Sequence, residues 1–386
     1  ALRREHPISR VGDSGVHLVA TWNLIDEVLQ REDDFSANLT GVLVRDEDGE
    51  PGTFEFPNVG GSNVIATADE PAHGIHRTLV QPRLAAERTA ALETPLRSWV
   101  DEALSPFVAA GGGDFVPISE VIPARAVARV LGLPDGDVSQ HRTWAMMGGD
   151  ILAGDIGKEQ LVALARESGQ MAEYLGAHLD ATDPTTADDP QAPMLSALAR
   201  GVQDGVVPRA EAVGIAIVMF GAGGESTAAL IGSTIRRLAE DPELAEQLRA
   251  DSSLIPRFVE EVARLDSPFK FHYRAVRTQC ELGGAELCPG DRLMLLWASA
   301  NRDSAQFEEP DALRLDRRHS KQHMSFGRGS HFCIGAPMAR LEARIVIDDL
   351  LDRTSEVLMD LDRPPRYAPS IFIRRHEQLP IRVKVH

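Results

Sequence analysis

The sequence predicts a mainly α-helical fold with a smaller share of β-strand, and three features support this prediction. Residues 84 to about 205 have a helical rhythm of apolar positions. Residues 207 to 240 have the spacing of one long helix, apolar through Val213, Ile217 and Phe220. Short extended runs occupy the first 65 residues and the stretch after residue 272, where two adjacent glycines indicate a hairpin turn.

Composition and charge exclude several classes of protein. The hydrophobic content of 43% is enough for a large core, and the net charge of −18 disfavours nucleic acid and anionic membranes as partners. The longest apolar run, Ala212 to Gly224, has 13 residues and is too short to span a bilayer. Three cysteines form no disulfide framework and no signal peptide opens the chain, so we expect a cytoplasmic protein.

Two helices in the first third of the chain are readily predicted. Residues 23–30 follow a strand at Val16–Ala20. A second helix opens at Asp69 and places His73 and Arg77 four residues apart on one face. Without further context, such a pair is most simply a solvated helix surface.

The centre of the long helix has an unusual composition, with Gly221, Gly223 and Gly224 clustered around Ala222 and followed by Glu225 and Ser226. Each glycine costs a helix interior about 1 kcal/mol relative to alanine, so the three cost about 3 kcal/mol. Another interaction must offset that loss. Close approach of a flat ligand and tight packing against another helix both explain the composition.

A further helix, residues 254–265, contains Glu261 and Arg264 at a spacing that allows an ion pair. Past it, Phe326, Gly327, Gly329, His331, Cys333 and Gly335 fall within ten residues, and a helical pattern resumes with Pro337 in its first turn. Cys333 therefore lies just before a helix N-terminus, which favours a thiolate. The alternative for a lone cysteine is a small buried apolar residue.

The spacing from Phe326 to Gly335 resembles the haem-binding loop of the cytochrome P-450 family, Phe-Gly-x-Gly-x-His-x-Cys-x-Gly, with every specified position filled. Other family segments follow in family order, and the resemblance spans about residues 15 to 380. It implies the P-450 fold: mainly α with a β-rich lobe, a long central helix over the haem and the cysteine loop beneath. It also implies one domain over residues 1–386, with a mobile lid near residues 145–185.

The resemblance also implies roles for individual residues. Cys333 would be the thiolate ligand of haem iron, beside Phe326 and before Gly335, and it would favour O–O cleavage. The haem propionates would be bound by His73, Arg77, Arg274 and His331. The pair Glu261 and Arg264 matches the Glu-x-x-Arg motif, a structural cluster whose third member would be Arg317 or its neighbour Arg318.

The long helix resembles the oxygen-activation motif of the same family. On that match Ala222 and Gly223 leave room for dioxygen, Glu225 belongs to the proton-delivery network and Ser226 supplies a hydroxyl. Most members have threonine where this chain has Ser226. Serine keeps the hydrogen-bond donor but loses the methyl group that restricts the rotamer, so we expect leakier oxygen activation.

The resemblance therefore implies a soluble bacterial haem b monooxygenase that oxidises a small organic molecule, and we expect it to be a monomer. Residues 222–229 and Ser36–Thr40 most resemble an actinobacterial group, family 144. The chain has no flavin or nicotinamide fingerprint, so electrons would come from a ferredoxin and its reductase. Residues 314–344 carry seven basic and two acidic side chains, a net +5, which predicts a basic docking face for an acidic donor.

Two other functions are compatible with the same motifs. One is a haem enzyme driven by peroxide, and the other is a haem-thiolate ligand-binding or sensor protein without turnover. The pair Glu225 and Ser226 favours dioxygen chemistry over both. Product formation with hydrogen peroxide alone, or ligand binding without product, would distinguish them.

Overall fold

The computed structural model describes residues 2–45, 48–56, 63–154, 158–189 and 191–386, with the backbone alone at 151 and 158–161. Residues 155–157 of the expected lid lie outside the described part. The described helices are α1 (Leu2–Glu5), α2 (Trp22–Gln30), α3 (Ala72–Val80), α4 (Ala86–Ala91), α5 (Glu93–Ala109), α6 (Val116–Leu131), α7 (Val138–Ala145), α8 (Lys158–Ala181), α9 (Met194–Gln203), α10 (Arg209–Glu240), α11 (Pro242–Ala250), α12 (Ile255–Leu265), α13 (Trp297–Ala300) and α14 (Ala336–Arg353).

The strands are short and lie mostly at the two ends of the chain. They are β1 (Ile8–Arg10), β2 (Val16–Val19), β3 (Phe35–Ser36), β4 (Gly41–Arg45), β5 (Pro51–Glu55), β6 (Gly112–Asp114), β7 (His272–Val276), β8 (Cys280–Leu282), β9 (Ala285–Leu287), β10 (Arg292–Leu295), β11 (Thr354–Met359), β12 (Arg366–Tyr367), β13 (His376–Gln378) and β14 (Pro380–Val385). The prediction of a mainly α fold with a smaller β-rich part is confirmed.

The largest sheet joins the N-terminal segment to the middle of the chain, in the strand order β1-β2-β10-β7-β3. Its neighbours β2 and β10 run parallel, although more than 270 residues separate them, with Leu293 opposite His17. The buried apolar side chains on this sheet pack against α2 and α13. The sheet thus fixes β7, and with it Arg274, relative to the N-terminal part of the chain.

The predicted hairpin is confirmed by β8 and β9. Their connection is the pair Gly283 and Gly284, with φ of +53° and +84°. Both values lie in the left-handed region that a two-residue type I′ turn requires, and glycine reaches it without steric cost.

Helix α10 is the central element of the helical part and spans the predicted range almost completely. It packs against α6, α14, α7, α8 and α12. By length and composition alone it could cross a bilayer, yet 56% of its most apolar window is buried inside the fold. That burial, with Ile215, Phe220 and Ile231 enclosed by neighbouring helices, is typical of a core helix.

A long connection between β10 and α14 runs beneath α10. It is built from turns and short 3₁₀ helices at Ser320–Gln322, Met324–Phe326 and Gly329–His331. Because α12 and α14 pack on each other and both contact α10, they hold this connection between them. The segment Phe326–Gly335 therefore faces α10 across an internal pocket.

Candidate functional site

The pocket between α10 and the segment Phe326–Gly335 contains most of the residues singled out in the sequence. Ten of them line it: His73, Arg77, Ala222, Gly223, Ser226, Arg274, Phe326, His331, Cys333 and Gly335. They come from α3, α10, β7 and the connection to α14. Glu225, by contrast, is buried behind the wall, and the cluster of Glu261, Arg264 and Arg317 lies outside the pocket.

We call residues 326–335 the ligand loop, because they present Cys333 to the pocket. The loop is closed by the N–H of Cys333, which donates to the Phe326 carbonyl over 2.8 Å. Gly327 and Gly329 have φ of +67° and +69°, so this tight turn requires glycine at both positions. The sequence motif is therefore explained by backbone geometry as well as by chemistry.

The sulfur of Cys333 has an environment suited to binding a cation. Burial raises the pKa of the Cys333 thiol, while the backbone N–H groups of Gly335 and Ala336 and the charges of Arg340 and Arg77 lower it. Gly335 is the N-cap of α14, so these donors belong to the helix N-terminus that the sequence predicts. A metal cation at the sulfur would supply the remaining stabilisation of the thiolate.

One buried carboxylate contacts residues on both sides of the ligand loop. The sequence did not predict this carboxylate. Glu260 of α12 lies 3.0 Å from His323 Nε2, before the loop, and accepts hydrogen bonds from Arg340, after it. Burial raises the pKa of Glu260, but the bonds from His323 and Arg340 outweigh it, so that its pKa falls to about 2. His323 is only 2% exposed, so this contact lies in the interior of the protein.

Asn301 provides a second anchor for the start of the loop. Its side-chain oxygen accepts the N–H of Met324 over 2.6 Å, and its amide nitrogen donates to Ser267 and Ser325. Phe326 follows directly, with the Arg340 guanidinium 4.3 Å from its ring centroid. The contacts of Asn301 with both Met324 and Ser325 became visible only from the fold.

A cluster of cationic and imidazole side chains faces the other side of the pocket. His73 and His331 stack with ring centroids 3.9 Å apart, and Arg77 donates to the carbonyls of Ser330 and Phe332 in the ligand loop. Glu70, whose carboxylate lies 2.9 Å from His73 Nδ1, orients the first imidazole. Sequence reasoning did not assign a role to Glu70, although it precedes His73 by three residues.

Arg274 is the most strongly buried cation of this cluster. It is 6% exposed, and its one described hydrogen bond goes to the Tyr273 carbonyl. Burial lowers the pKa of Arg274 to about 10, against the attraction of Asp69 and Glu32. Burial, together with Arg274, His73, His272 and Arg77, also lowers the pKa of His331 to about 3. A buried guanidinium beside the neutral imidazole of His331 is suited to binding an anionic group.

Helix α10 forms the wall opposite Cys333. Ala222 and Ser226 face the pocket one turn apart, and the Ser226 hydroxyl donates to the Ala222 carbonyl over 2.8 Å. Phe269 and Trp297 also line the pocket. The indole nitrogen of Trp297 is buried without a hydrogen-bond partner among the described residues.

The glycines of α10 are explained mainly by packing, the second of the two alternatives. A Cβ on Gly223 would lie 3.0 Å from Val127 of α6, and one on Gly224 would lie 2.4 Å from the Ala145 Cβ of α7. Gly221 faces Gly148 backbone to backbone. Gly223 lines the pocket, and Val127 packs where its side chain would lie; its role in leaving room for dioxygen stays a prediction.

Glu225 has two partners from distant parts of the chain. Arg375 Nε donates to one carboxylate oxygen over 2.8 Å, and the N–H of Gly149 donates to the other over 2.6 Å. Burial raises the pKa of Glu225 to about 7; Arg375 and Gly149 lower it, and Asp150 raises it. The carboxyl therefore exchanges its proton near neutral pH. Neither partner was predicted from the sequence.

The expected three-residue cluster joins α12 to the connection that follows β10. Glu261 and Arg264 are both fully buried and joined by two hydrogen bonds of 2.9 and 2.8 Å. Of the two candidates for the third member, Arg317 is the one that contacts Glu261, with its Nε 3.0 Å from both oxygens. Arg264 also donates to the carbonyls of Asn301, Pro310 and Ala312, which ties the connection to α12.

The predicted basic face is largely neutralised. Five of its seven cations are paired with carboxylates: Arg314 with Asp316, Arg317 with Glu261, Arg328 with Asp26, Arg340 with Glu260 and Arg344 with Glu93. Within the described part of the chain, Arg318 and Lys321 make no ion pair, and both are exposed. The count of +5 did not predict this, because four of the five partner acids come from outside residues 314–344.

Comparisons with known proteins agree with this geometry. Residues 189–379 match the family model for cytochrome P450. The chain is 39% identical to cytochrome P450 144 of Mycobacterium tuberculosis, over 99% of this chain and 87% of that protein. It is 32% identical to the cytochrome P450 monooxygenase PikC of Streptomyces venezuelae, over 82% and 74%. The structure of CYP109E1 from Bacillus megaterium in complex with testosterone superposes with a TM-score of 0.85, at 28% identity, over 100% of this chain and 96% of that one.

Proposed function

Since the chain belongs to the cytochrome P450 family of haem-dependent monooxygenases, we propose that Cys333 is the iron ligand of its haem and that the pocket oxidises a small, largely apolar organic molecule. The observation that supports this most directly is the pocket itself. It places Cys333 on one wall, Ala222 and Ser226 on the opposite wall, and Arg274 with two imidazoles along one side.

The residues of the pocket fit haem. Its flat ring has two carboxylates on one edge, and the buried guanidinium of Arg274 has no carboxylate within ion-pair distance among the described residues. His73, Arg77 and His331 lie beside it. The unpartnered indole nitrogen of Trp297 is one more donor that lines the same pocket. We assign these residues to the propionates, and Phe326 and Gly335 to the surroundings of the thiolate.

Bound haem supplies the oxidative chemistry, the insertion of one atom of dioxygen into the substrate with reduction of the other to water. The chain supplies ligation, exclusion of water and proton handling. Cys333 donates electron density from the thiolate side. Ser226 offers a hydroxyl on the opposite wall, and Glu225, one residue earlier, holds a proton that it can release near neutral pH. Glu261, Arg264 and Arg317 stabilise the support beneath the loop.

The side chains above Cys333 favour an uncharged substrate. Ile65, Val218, Met219, Pro268 and Phe269 line this part of the pocket. His272 faces the pocket, whereas Lys270 donates to the Ser370 carbonyl. Burial lowers the pKa of His272 to about 4, so it adds no charge at neutral pH. The testosterone-bound relative is consistent with such a class of ligand.

An optical titration of the oxidised holoenzyme tests the proposal. We expect apolar terpenes, steroids or aromatics to shift the Soret band toward high spin, and carbon monoxide to give the thiolate-type spectrum after reduction. Cys333→Ser is the control and should lose that spectrum while keeping its fold. A wild-type protein without the thiolate spectrum would contradict the assignment. Turnover with hydrogen peroxide alone would instead support the peroxide-driven alternative.

We further propose that the electrons come from a separate ferredoxin and its reductase, because the sequence contains no flavin or nicotinamide fingerprint. The site draws on residues from 73 to 375, which supports one domain over residues 1–386. A cytoplasmic, monomeric enzyme is consistent with the bacterial relatives.

A further inference from the structure

Glu225 lies where three segments that are distant in the sequence meet. The first is α10, which carries it. The second is residues 146–154, the lid loop, which follows α7. The third is residues 369–375, the C-terminal turn, which precedes β13 and carries Arg375. A residue with only a role in proton transfer would not need contacts to both of the other segments.

The lid loop reaches Glu225 through its backbone. The N–H of Gly149 donates to Oε2 over 2.6 Å, and a Cβ on Gly149 would lie only 2.6 Å from that oxygen. Glycine is therefore required for this approach. The lid loop is also joined to the C-terminal turn, because the N–H of Ile371 donates to the Ala153 carbonyl over 3.0 Å.

Arg375 fixes the other side of the carboxyl. Its Nε lies 2.8 Å from Glu225 Oε1, and its side chain is 19% exposed. Within the described residues it is the cation paired with Glu225, and its Nη2 lies 3.8 Å from Asp150 of the lid loop. Arg375 lowers the pKa of Glu225, whereas the negative charge of Asp150 raises it. One guanidinium thus bridges the two acids.

We propose that Arg375 is the positioning residue for Glu225: it holds the carboxyl with one oxygen toward the lid loop, so that the attachment of this loop to α10 and proton handling by Glu225 depend on the same ion pair. This inference rests on the proposed function, in which Glu225 and Ser226 serve the pocket. It adds a residue from the C-terminal turn to the machinery, and it gives Glu225 a second role as the point where the lid loop is attached.

Hydrogen exchange of the haem-bound protein tests the attachment. Arg375→Gln removes the cation, Arg375→Lys retains it, and Arg374→Gln is the matched control. Arg374 is the adjacent residue, but its partner Asp266 already pairs with Arg236 and Arg237. We expect the amides of residues 146–154 to exchange about tenfold faster in Arg375→Gln and at the wild-type rate in the other two variants. Unchanged exchange in Arg375→Gln would overturn the attachment.

The titration of Glu225 provides a measurement that a merely structural pair would not change. Its carboxyl band is identified in infrared difference spectra by subtraction of the Glu225→Gln variant. Loss of Arg375 should move the midpoint up by about one pH unit or more, since a nearby opposite charge favours the ionised carboxylate. Asp150→Asn should move it down, because a like charge is removed. No shift in either variant would refute the positioning role.

The two tests separate failure of the inference from failure of the proposed function. If wild type gives the thiolate-type spectrum with carbon monoxide but the Arg375 variants leave exchange and titration unchanged, only the inference fails. If wild type lacks that spectrum, the proposed function fails first. Should Arg375→Gln not fold, Glu225→Gln tests the same attachment, because it removes the charge to which Arg375 and the N–H of Gly149 donate, and wild-type exchange of residues 146–154 in this variant would overturn the proposal.

Discussion

Ser226 is the position at which this chain departs from the usual family pattern. Its hydroxyl donates to the Ala222 carbonyl one turn earlier, which is a common alternative for a serine inside a helix. The same hydroxyl is proposed to hydrogen-bond in the pocket. Without the methyl group of threonine, it has more rotamers available, so the pocket-facing donor is less firmly fixed.

We therefore predict that Ser226→Ala raises the hydrogen peroxide released per NADH consumed, by several fold, and that Ser226→Thr lowers it below the wild-type value. The measurement is the ratio of peroxide to NADH in an assay with ferredoxin and its reductase. Thr227→Ser, next along the helix, is the control and should leave the ratio unchanged. An identical ratio in all three variants would remove Ser226 from the mechanism.

Glu260 gives the clearest pH dependence among the buried acids. Its pKa is about 2 in the fold against an ordinary value of 4.5. A depressed pKa contributes stability that is complete above pH 4.5 and is lost as the pH falls toward 2. The shift corresponds to about 3 kcal/mol.

Glu260→Gln should thus lower the free energy of unfolding by about 3 kcal/mol at neutral pH, with the difference from wild type shrinking as the solution is acidified below pH 4.5. Urea unfolding at a series of pH values measures it. Glu93→Gln is the control, because its bonds to Arg97 and Arg344 are partly exposed and such pairs contribute under about 1 kcal/mol. A difference that does not depend on pH would contradict this interpretation.

At the scale of elements, the contact of α10 with α7 depends on the absence of side chains. Alanine at Gly224 would place its Cβ against Ala145, whereas alanine at Gly169, in α8, would meet open space. The same substitution should therefore have opposite effects at the two positions. Overpacking costs about 1–3 kcal/mol, and replacing an exposed helical glycine with alanine gains up to about 1 kcal/mol.

We predict that Gly224→Ala lowers the midpoint of thermal unfolding and speeds amide exchange in α7, while Gly169→Ala raises the midpoint. Scanning calorimetry and hydrogen exchange of the two variants make the comparison. If Gly224→Ala were as stable as wild type, α7 would have to be able to move away from α10 without cost.

Elements whose signals are local could be predicted from the sequence, and their partners could not. The span of α10, the hairpin at Gly283 and the ligand loop follow from periodicity, turn chemistry and a contiguous motif. The contacts of Glu225 with Gly149 and Arg375 join residues 76 and 150 positions apart. No periodic pattern records such pairs, so Arg375, Asn301 and the partners of Glu260 were found only in the fold.

At the scale of the whole molecule, electrostatics decides how an electron donor approaches. Because five of the seven cations between residues 314 and 344 are paired, only Arg318 and Lys321 remain as exposed cations without an ion pair among the described residues of that segment. In a protein of net charge −18, two such charges still matter for an acidic donor.

Reversal of both charges in Arg318→Glu/Lys321→Glu should slow reduction by a ferredoxin by about tenfold at low ionic strength, with the difference vanishing as salt is added. Stopped-flow measurement of reduction tests this, and dithionite, which needs no docking, is the control reductant. A rate that does not respond to salt would show that docking relies on other contacts.

The contact between Gly148 and Gly221 has a consequence for how the pocket opens. Side chains that interlock as ridges and grooves must change rotamers before two elements can slide past each other. Here two bare backbones meet, and a Cβ added to Gly148 would lie 3.6 Å from the Gly221 Cα. At Gly148 the lid loop therefore packs on α10 without interlocking side chains. At this contact the lid loop could therefore move along α10 without a change of rotamer, whereas Met146, Met147 and Leu152 of the same loop would have to leave the apolar clusters that they pack against.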